Sequence, residues 1–355
     1  MSREIANRFA IKGEAVYCER YGQGHINETY LVKSSGGADY ILQKVNNTVF
    51  KDVPGLMNNI ASVTKYLGQR DPDPRHTLHL VPTLDGKDYL VDEEGKPWRL
   101  YDFVMDSVCL QAAETPEDFY QSAVAFGMFQ RQLSEFPADT LVEVIPHFHD
   151  TPDRYRIFRE AIEKDVCGRK HLVEEEIAFA LAREEEAASL MNQLNAGILP
   201  LRVTHNDTKL NNVMLDAEKR TPLCVIDLDT VMPGLMAFDF GDSIRFGAST
   251  ALEDEKDLSK VEMSLDLYET YVKGFVATCG ASMTDAEAES LPMGAKLMTL
   301  ECGVRFLTDF LSGDVYFHIK RPEHNLDRCR TQFKLVADME KKWTEMHEIV
   351  KKVRG

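Results

Sequence analysis

The hydrophobic period changes once along this chain, and that change restricts the possible folds more than any other feature. Between residues 15 and 105, short runs rich in β-branched and aromatic residues alternate with glycine turns, a pattern typical of antiparallel strands. From Thr115 onward, apolar residues recur every three or four positions, which predicts helices. We therefore predict an α+β protein with a small antiparallel-sheet N-terminal lobe, residues 1–105, and a large, mainly helical C-terminal lobe, residues 106–355.

Individual helices follow from the same patterns. One helix is predicted inside the strand-rich part, at residues 53–69. Thr115, followed by a proline and two acids, predicts the N-cap of a second helix. Residues 173–195, with two runs of three glutamates, predict one long solvated helix, and residues 333–350 predict an amphipathic helix.

Charge and composition exclude several classes of protein. The 355 residues carry 58 acidic and 41 basic side chains, a formal net charge of -17, so we expect no broad cationic surface for nucleic acid or an anionic membrane. No apolar run approaches the roughly 18 residues of a membrane span, and the N-terminal segment is charged where a signal peptide is apolar. Seven scattered cysteines, none in a C-x-x-C pair, are expected to be reduced. These features predict a cytoplasmic protein.

A polar loop and a predicted hairpin carry the most informative residues. Two short apolar runs, 213–215 and 223–226, flank a polar turn, which predicts an antiparallel hairpin. In such a hairpin the start of the first strand lies beside the end of the second, so Asn212 and Asp227 are expected to meet. An amide oxygen and a carboxylate, with room for water and phosphate oxygens, suit Mg²⁺ rather than zinc. The pattern predicts a magnesium site that binds a nucleotide.

Asp207 and Lys209 lie in the loop that enters this hairpin. The Asp207 carboxylate is suited to accept a hydroxyl proton, and Lys209 to neutralise charge on a moving phosphoryl group. Residues 205–212 resemble the catalytic loop of kinases, and Asp227 resembles the metal-binding aspartate that follows it. The forms V-T-H-N-D and I-D-L-D are closer to the aminoglycoside phosphotransferase and choline kinase superfamily than to protein kinases. This resemblance implies a protein-kinase-like two-lobed fold with Asp207 as base, Lys209 as phosphate contact, and Asn212 and Asp227 as magnesium ligands.

Longer segments are similar to the bacterial N-acetylhexosamine 1-kinases over nearly the whole chain. The similar segments are residues 22–27, 40–43, 147–152, 238–247, 301–303 and 305–307. The resemblance implies ATP and Mg²⁺ as cofactors and N-acetylglucosamine or N-acetylgalactosamine as acceptor. Besides Asp207, it implies sugar contacts from His25, Phe246, Arg305 and Tyr316. Because Arg305 lies on an apolar helical segment, we expect it to have a partner, for instance Glu301 one turn earlier.

Two features of the N-terminal lobe concern the phosphates of the nucleotide. Gly22 and Gly24 lie between two predicted strands, where backbone amides can approach phosphates, although a glycine turn in any hairpin has the same pattern. Kinase folds usually place a phosphate-binding lysine on the third strand. This chain offers Gln43 and Lys44, which point to opposite faces of that strand, so either residue is a candidate.

Residues 100–105 have two interpretations. They offer backbone hydrogen bonds to adenine, with Tyr101, Phe103 and Val104 as the candidates, or they form an ordinary last strand. Periodicity favours neither interpretation over the other.

For the remaining polar motifs we expect structural rather than catalytic roles. Asp239-Phe240-Gly241 spells the magnesium motif of protein kinases, but Asp227 already ends the hairpin beside Asn212. We expect Asp239 and Asp242 to brace the site instead, through Arg245. The spacing of His147 and His149 is compatible with a metal, but without a third ligand nearby we expect local polar contacts.

The resemblance to N-acetylhexosamine 1-kinases implies ATP-dependent phosphorylation of the anomeric C1 hydroxyl of N-acetylhexosamines, in the salvage of glycan-derived amino sugars. The alternatives are a kinase of choline, homoserine or an aminoglycoside, and a nucleotide-binding module without turnover. Choline would need an aromatic cage, and an aminoglycoside a strongly acidic acceptor face. The expected partners are a small sugar and ATP, without nucleic acid or membrane, and a monomer is compatible with the sequence.

Overall fold

The computed structural model describes residues 2–22 and 26–355. The chain forms two compact units, the first containing Met1–Cys109, Glu135–Pro146 and Val213–Pro233, and the second containing Leu110–Ser134, His147–Asn212 and Gly234–Gly355. Division into two contiguous lobes, residues 1–105 and 106–355, stays a proposal. In the part of the chain that the structure describes, no helix combines the length and apolarity needed to cross a membrane.

Strands dominate the first unit and helices the second. The strands are β1 (Ala15–Arg20), β2 (Glu28–Ser34), β3 (Asp39–Lys44), β4 (Leu80–Val81), β5 (Leu90–Val91), β6 (Pro97–Asp102), β7 (Ser107–Cys109), β8 (Arg202–Thr204), β9 (Val213–Asp216), β10 (Pro222–Val225) and β11 (Met232–Gly234). The helices are α1 (Ser2–Ala6), α2 (Val53–Arg70), α3 (Pro116–Gln132), α4 (Thr151–Lys164), α5 (Glu174–Leu181), α6 (Glu184–Ala187), α7 (Ser189–Asn195), α8 (Met236–Gly247), α9 (Leu265–Cys279), α10 (Asp285–Ser312), α11 (His324–Lys341) and α12 (Trp343–Arg354).

The main sheet of the first unit is antiparallel, with the strand order β1-β2-β3-β6-β4 and with β5 paired to β6. One of its faces packs on the N-terminal segment, where Ile5 of α1 and Phe9, three residues after the helix, join the buried cluster of Val32, Leu42 and Leu100. The predicted strands at β1, β2, β3 and β6 are confirmed. The strand-like run at residues 87–95 contributes only the two-residue β5, and β4 is also too short to produce a period in the sequence.

The hairpin predicted after the polar loop is confirmed. β9 and β10 pair antiparallel, with Val213 opposite Val225 and Met214 opposite Cys224. On its other edge β9 pairs with β7. Asn212 immediately precedes the first strand of the hairpin, and Asp227 follows the second strand by two residues.

The predicted helices at 53–69 and after Thr115 are confirmed as α2 and α3. The Thr115 side chain accepts a hydrogen bond from the Asp118 amide at 3.2 Å, and the Asp118 carboxylate accepts one from the Thr115 amide at 2.9 Å. This reciprocal capping box satisfies two backbone donors at the N-terminus of α3.

Two of the sequence-predicted helices are interrupted. The single helix expected at 173–195 is wrong, because the segment forms α5, α6 and α7. Its first break lies near Arg183, whose guanidinium donates to the Phe179 carbonyl at 2.8 Å, and a continuing α-helix would give that carbonyl to the Arg183 amide. The amphipathic segment at 333–350 likewise divides into α11 and α12 at Lys342.

Candidate active site

The loop before the hairpin gathers three of the predicted site residues in the second unit. Lys209 Nζ lies 2.7 Å from Asp207 Oδ1. Asn212 Nδ2 donates to Asp207 Oδ2 at 3.0 Å and to the Asp207 carbonyl at 2.8 Å. The Asp207 side chain keeps 27% of its surface exposed. A carboxylate held by a cation and an amide, yet open to solvent, has the orientation and access that a catalytic base needs.

The charge of Lys209 is fixed by its surroundings. Burial by itself would lower the pKa of the Lys209 ammonium, but the carboxylates of Asp207 and Asp242 raise it above its ordinary value. The side chain therefore remains a cation at neutral pH, as charge neutralisation on a phosphoryl group requires.

Asp239 on α8 holds the backbone of the same loop. Its fully buried carboxylate accepts hydrogen bonds from the amides of His205 at 2.9 Å and Asn206 at 2.8 Å, and from Gln130 Nε2 at 2.7 Å. Asn206 adopts a left-handed conformation, with φ of 64°, which asparagine tolerates better than most residues. Burial raises the pKa of Asp239. In the described structure this aspartate serves the loop backbone, although it begins the letters D-F-G.

Asp242, one turn further along α8, supports the next residue of the loop. Its Oδ2 accepts the Thr208 amide at 2.9 Å, and its Oδ1 accepts Arg245 Nη2 at 2.8 Å. Arg245 also reaches Glu253 at 2.8 Å. Burial would raise the pKa of Asp242, but the neighbouring cations of Arg245 and Lys209 hold it below its ordinary value. Asp242 is thus a buried anion that ties the loop to α8.

His149 connects the loop to α10. Its Nδ1 lies 2.9 Å from Glu301 Oε1, and its Nε2 lies 3.3 Å from the Asn206 carbonyl. Glu301 also accepts a hydrogen bond from Thr151 Oγ1 at 2.7 Å. The expected pairing of Glu301 with Arg305 is therefore wrong, because His149 and Thr151, about 150 residues earlier in the chain, take both carboxylate oxygens.

Arg305 is surrounded by aromatic rings instead. Its guanidinium carbon lies 5.6 Å from the ring centroid of Phe148, 6.0 Å from that of Tyr316 and 5.5 Å from that of Phe317. No residue in 2–22 or 26–355 forms a hydrogen bond or ion pair with this guanidinium. Tyr316 is 69% exposed, and Phe246, at the end of α8, is 39% exposed. The N–H donors of Arg305 are available to a ligand.

Gln43 and Lys44 at the end of β3 point to opposite faces of the sheet. Lys44 Nζ lies 3.3 Å from Glu28 and 5.8 Å from the ring centroid of Trp98. Gln43 Nε2 donates to Thr29, and Gln43 Oε1 accepts two hydrogen bonds from Arg99, at 2.9 and 2.8 Å. Tyr101 is on the Gln43 side, because it lies two residues beyond Arg99 on β6.

Residues 100–105 begin as the last residues of strand β6, which ends at Asp102. Tyr101 is a strand residue paired with Ile41 and Leu80. Beyond the strand, the Phe103 amide donates to the Asp39 carbonyl at 3.1 Å. The Phe103 carbonyl and the Val104 amide have no hydrogen-bond partner among the described residues. An adjacent acceptor and donor of this kind can bind the edge of an adenine.

The two proposed metal ligands, Asn212 and Asp227, belong to different units of the chain. Asp227 belongs to the first unit and has a left-handed backbone, with φ of 59°. Asn212 belongs to the second unit, and none of the described residues donates to its Oδ1. Across the described ranges, no group of three or more His, Cys, Asp or Glu side chains is placed to hold a metal. An amide oxygen and a carboxylate fit Mg²⁺, which takes its other ligands from water and phosphate.

Two predicted residues, Gly24 and His25, lie outside the described residues. Gly22 is described and has φ of 74°, with open space where a Cβ would be. The left-handed backbone, rather than crowding, is therefore what favours glycine at this position.

Sequence reasoning missed four buried polar residues, of which Asn27, Arg99 and Asp229 belong to the first unit and Gln130 to the second. Two features of the sequence could have pointed to Arg99 and Asp229. Arg99 interrupts the apolar run of residues 97–101, and a buried guanidinium needs partners. Asp229 is the second carboxylate of I-D-L-D.

Solved structures with similar folds include several small-molecule kinases. An aminoglycoside phosphotransferase from Alicyclobacillus acidocaldarius gives a TM-score of 0.65 at 13% identity, covering 99% of this chain and 96% of that chain. A microcompartment-associated aminopropanol kinase gives 0.58 at 15%, covering 98% of each. The amicoumacin kinase hAmiN, in complex with AMP-PNP, Ca²⁺ and Ami, gives 0.60 at 13%, covering 93% and 91%. At these identities the likeness shows the fold alone, and it confirms the predicted kinase-like α+β class.

A family model covers most of the chain. The model described as "Phosphotransferase enzyme family" (APH) matches residues 18–268, which include most of the main sheet, the catalytic-loop residues and the hairpin. The chain therefore belongs to the phosphotransferase enzyme family.

Proposed function

We propose that this protein is a kinase that transfers the γ-phosphoryl group of ATP to the anomeric C1 hydroxyl of an N-acetylhexosamine. The observation that carries the proposal is the Asp207 carboxylate held between Lys209 and Asn212. Family membership supports transfer of a phosphoryl group to an alcohol. The similarity of the segments named above to N-acetylhexosamine 1-kinases supports the sugar.

In this proposal Asp207 orients the acceptor hydroxyl and takes its proton as the oxygen attacks the γ-phosphorus, while the bond from that phosphorus to the β,γ-bridging oxygen breaks and ADP leaves. Lys209 stabilises the negative charge on the phosphoryl oxygens during transfer. Mg²⁺, held by Asn212 Oδ1 and Asp227, would supply further neutralisation of charge on the phosphates. The adenine donates a hydrogen bond to the Phe103 carbonyl and accepts one from the Val104 amide.

The surroundings of Arg305 favour an uncharged acceptor over a cationic one. A quaternary ammonium binds to protein through aromatic rings, but here the guanidinium of Arg305 already lies beside three rings. A second cation in that cluster would be repelled. The open N–H groups of Arg305 instead suit oxygen acceptors such as sugar hydroxyls or an acetamido carbonyl. This observation supports a sugar and weakens the choline alternative.

The test is a panel of acceptors, each incubated with ATP and Mg²⁺ and followed by phosphorus NMR. The panel contains N-acetylglucosamine, N-acetylgalactosamine, glucose, galactose, choline, homoserine and kanamycin. We expect an anomeric phosphate signal with the N-acetylhexosamines. A phosphate ester formed only on another acceptor would contradict the sugar assignment, and no product with any of them would favour a nucleotide-binding module.

Two variants test the assigned roles. Asp207→Asn should lower turnover by about 10² or more while leaving the affinity for ATP nearly intact, because a positioned base contributes on that scale. Asp266→Asn, an exposed position on α9, is the matched control and should behave as wild type. Arg305→Met should raise KM for the sugar without changing KM for ATP, with Arg330→Met, a surface ion-pair residue, as its control. Full turnover in Asp207→Asn would remove Asp207 from the role of base.

A further inference from the structure

Two arginines of the second unit contact the same residue, Phe148, from different sides. Arg154 on α4 donates from Nη2 to the Phe148 carbonyl at 2.7 Å. The guanidinium carbon of Arg305 on α10 lies 5.6 Å from the ring centroid of Phe148. Because α4 packs against α10, two guanidinium groups from distant parts of the chain become neighbours. We call Arg154 and Arg305 the arginine pair.

The hydrogen-bond donors of the arginine pair are largely unused by the protein. Arg154 Nε is buried and has no hydrogen-bond partner among the described residues. Arg305 makes no hydrogen bond or ion pair within residues 2–22 and 26–355. A guanidinium carries five N–H donors in a planar fork, and folded proteins pair nearly all the donors that they bury. Unpaired donors on two neighbouring guanidinium groups are therefore typical of a binding site.

The positive charge of the arginine pair exceeds the negative charge beside it. Two carboxylates act on Arg154, those of Glu301 and Asp153. Both oxygens of Glu301 are already hydrogen-bonded to other side chains, and Asp153 pairs with Arg156 at 2.8 Å. Burial, together with the neighbouring charge of Arg305, lowers the pKa of Arg154, but a guanidinium remains protonated at neutral pH. Two like charges are thus held together in a chain whose formal net charge is -17.

An oxyanion is the ligand that matches both the donors and the charge of the arginine pair. Carboxylate, sulfate and phosphate groups accept parallel N–H···O bonds from guanidinium groups. A neutral hydroxyl would accept a hydrogen bond but leave the repulsion between the two arginines unchanged, whereas an anion between them would cancel it. The rings of Phe148, Tyr316 and Phe317 beside Arg305 limit its contact with water, which strengthens the attraction for an anion.

The segment that contacts the arginine pair also contacts the catalytic loop. His149 follows Phe148 in the chain, and its Nε2 lies 3.3 Å from the Asn206 carbonyl. Asn206 immediately precedes Asp207, the proposed base. The arginine pair and the base are therefore linked through two consecutive residues of the second unit.

We infer that Arg154 and Arg305 form a subsite for an oxyanion carried by the acceptor sugar, so that N-acetylhexosamines with a carboxylate, sulfate or phosphate substituent bind in preference to neutral ones. This inference rests on the proposed function and narrows its acceptor class. The substituent is away from C1, because the C1 hydroxyl must be free to receive the phosphoryl group. Arg154 is the residue that sets the preference for charge.

The first test is calorimetric titration of the protein in the presence of ADP and Mg²⁺, so that binding is measured without turnover. The titrants are N-acetylglucosamine, its 6-sulfate, its 6-phosphate, N-acetylmuramic acid, which carries a carboxylate, and sodium sulfate. At least one anionic sugar should bind about tenfold or more tightly than N-acetylglucosamine, the scale of charge-assisted hydrogen bonds. The inference is overturned if no anionic sugar binds more tightly than the neutral one. It is also overturned if free sulfate binds as tightly as the best anionic sugar, because the site would then bind a free anion.

Variants of Arg154 locate the preference. Arg154→Met should raise Kd for the preferred anionic sugar by about tenfold and leave Kd for N-acetylglucosamine nearly unchanged, whereas loss of a merely structural role would weaken both sugars alike. Arg154→Lys keeps the charge without the planar fork and should recover part of the affinity. Arg159→Met is the control, because Arg159 is an exposed residue of the same helix that pairs with Glu184, and it should bind both sugars as wild type does. Equal losses for the two sugars in Arg154→Met would contradict the subsite.

The outcomes separate this inference from the proposed function. Phosphorus NMR of the same sugars with ATP and Mg²⁺ reports transfer to C1, whereas calorimetry reports binding. Anomeric phosphate on N-acetylglucosamine, without tighter binding of any anionic sugar, would support the proposed function and refute the subsite. Tighter binding of an anionic sugar that is lost in Arg154→Met, without anomeric phosphate on any sugar, would support the subsite and contradict transfer to C1.

Discussion

Gly241 is a position where one methyl group should disturb the candidate site from a distance. α8 and α10 approach each other at Gly241 and Gly294, and a Cβ at 241 would lie 2.2 Å from the Gly294 carbonyl oxygen and 2.8 Å from Met298 Cγ. Ordinary contact begins near 3.4 Å, so Gly241→Ala requires the helices to separate by about 1 Å. Because α8 carries Asp239, such a shift weakens the hydrogen bonds that hold the catalytic loop.

The expected cost follows from two opposing effects. Overpacking against backbone costs up to about 3 kcal/mol, and replacing glycine by alanine inside a helix returns about 1 kcal/mol. We therefore expect Gly241→Ala to lower the free energy of unfolding by about 2 kcal/mol. Turnover should also fall, since the loop geometry depends on α8.

Gly68→Ala provides the matched control for this prediction. Gly68 is inside α2, and its added Cβ would meet His79 at 3.5 Å and Thr77 at 3.6 Å, which are ordinary contacts. This variant should be more stable than wild type by about 0.5–1 kcal/mol. Urea unfolding followed by circular dichroism measures both variants. Equal gains in stability at the two positions would refute the argument from close helix approach.

Three further predictions concern single groups. The contact with His149 helps to hold the pKa of Glu301 below its ordinary value despite burial, so ionised Glu301 stabilises the fold above about pH 4.5 and this contribution is lost as the pH falls. Wild type should therefore lose more unfolding free energy than Glu301→Gln between pH 7 and pH 3, and parallel losses in urea titrations would argue against this role. Burial raises the pKa of Cys224 and Cys279 to about 12, whereas Cys167 is exposed. Iodoacetamide at pH 8 should label Cys167 in the native protein and spare the other two in peptide mass spectra, and fast labelling of either would mean that it is accessible. Thr115→Ala removes the N-cap of α3 and should lower the unfolding free energy by about 1 kcal/mol, and an unchanged urea midpoint would show that the cap contributes nothing.

Short-range patterns in the sequence predicted much of the fold. The four longer strands of the main sheet (β1, β2, β3 and β6), α2, the capping box of α3 and the β9–β10 hairpin each leave a period or a turn signal in residues a few positions apart in the sequence. The grouping of Asp207 with Lys209 and Asn212 was predictable for the same reason, since all three belong to one short loop.

Contacts between distant residues were decided by the tertiary structure. The partner of Glu301 is His149 rather than Arg305, because packing places α10 beside a residue 152 positions away, where the carboxylate finds a buried donor. The first break in the segment 173–195 lies where the Arg183 side chain takes the Phe179 carbonyl. Likewise, sequence alternation showed that Gln43 and Lys44 face opposite ways, but only the register of β3 against β6 placed Gln43 opposite Arg99. The hydrophobic period of a sequence shows on which face of a helix or strand a residue lies. The contact partner of that residue depends on which other element packs against that face.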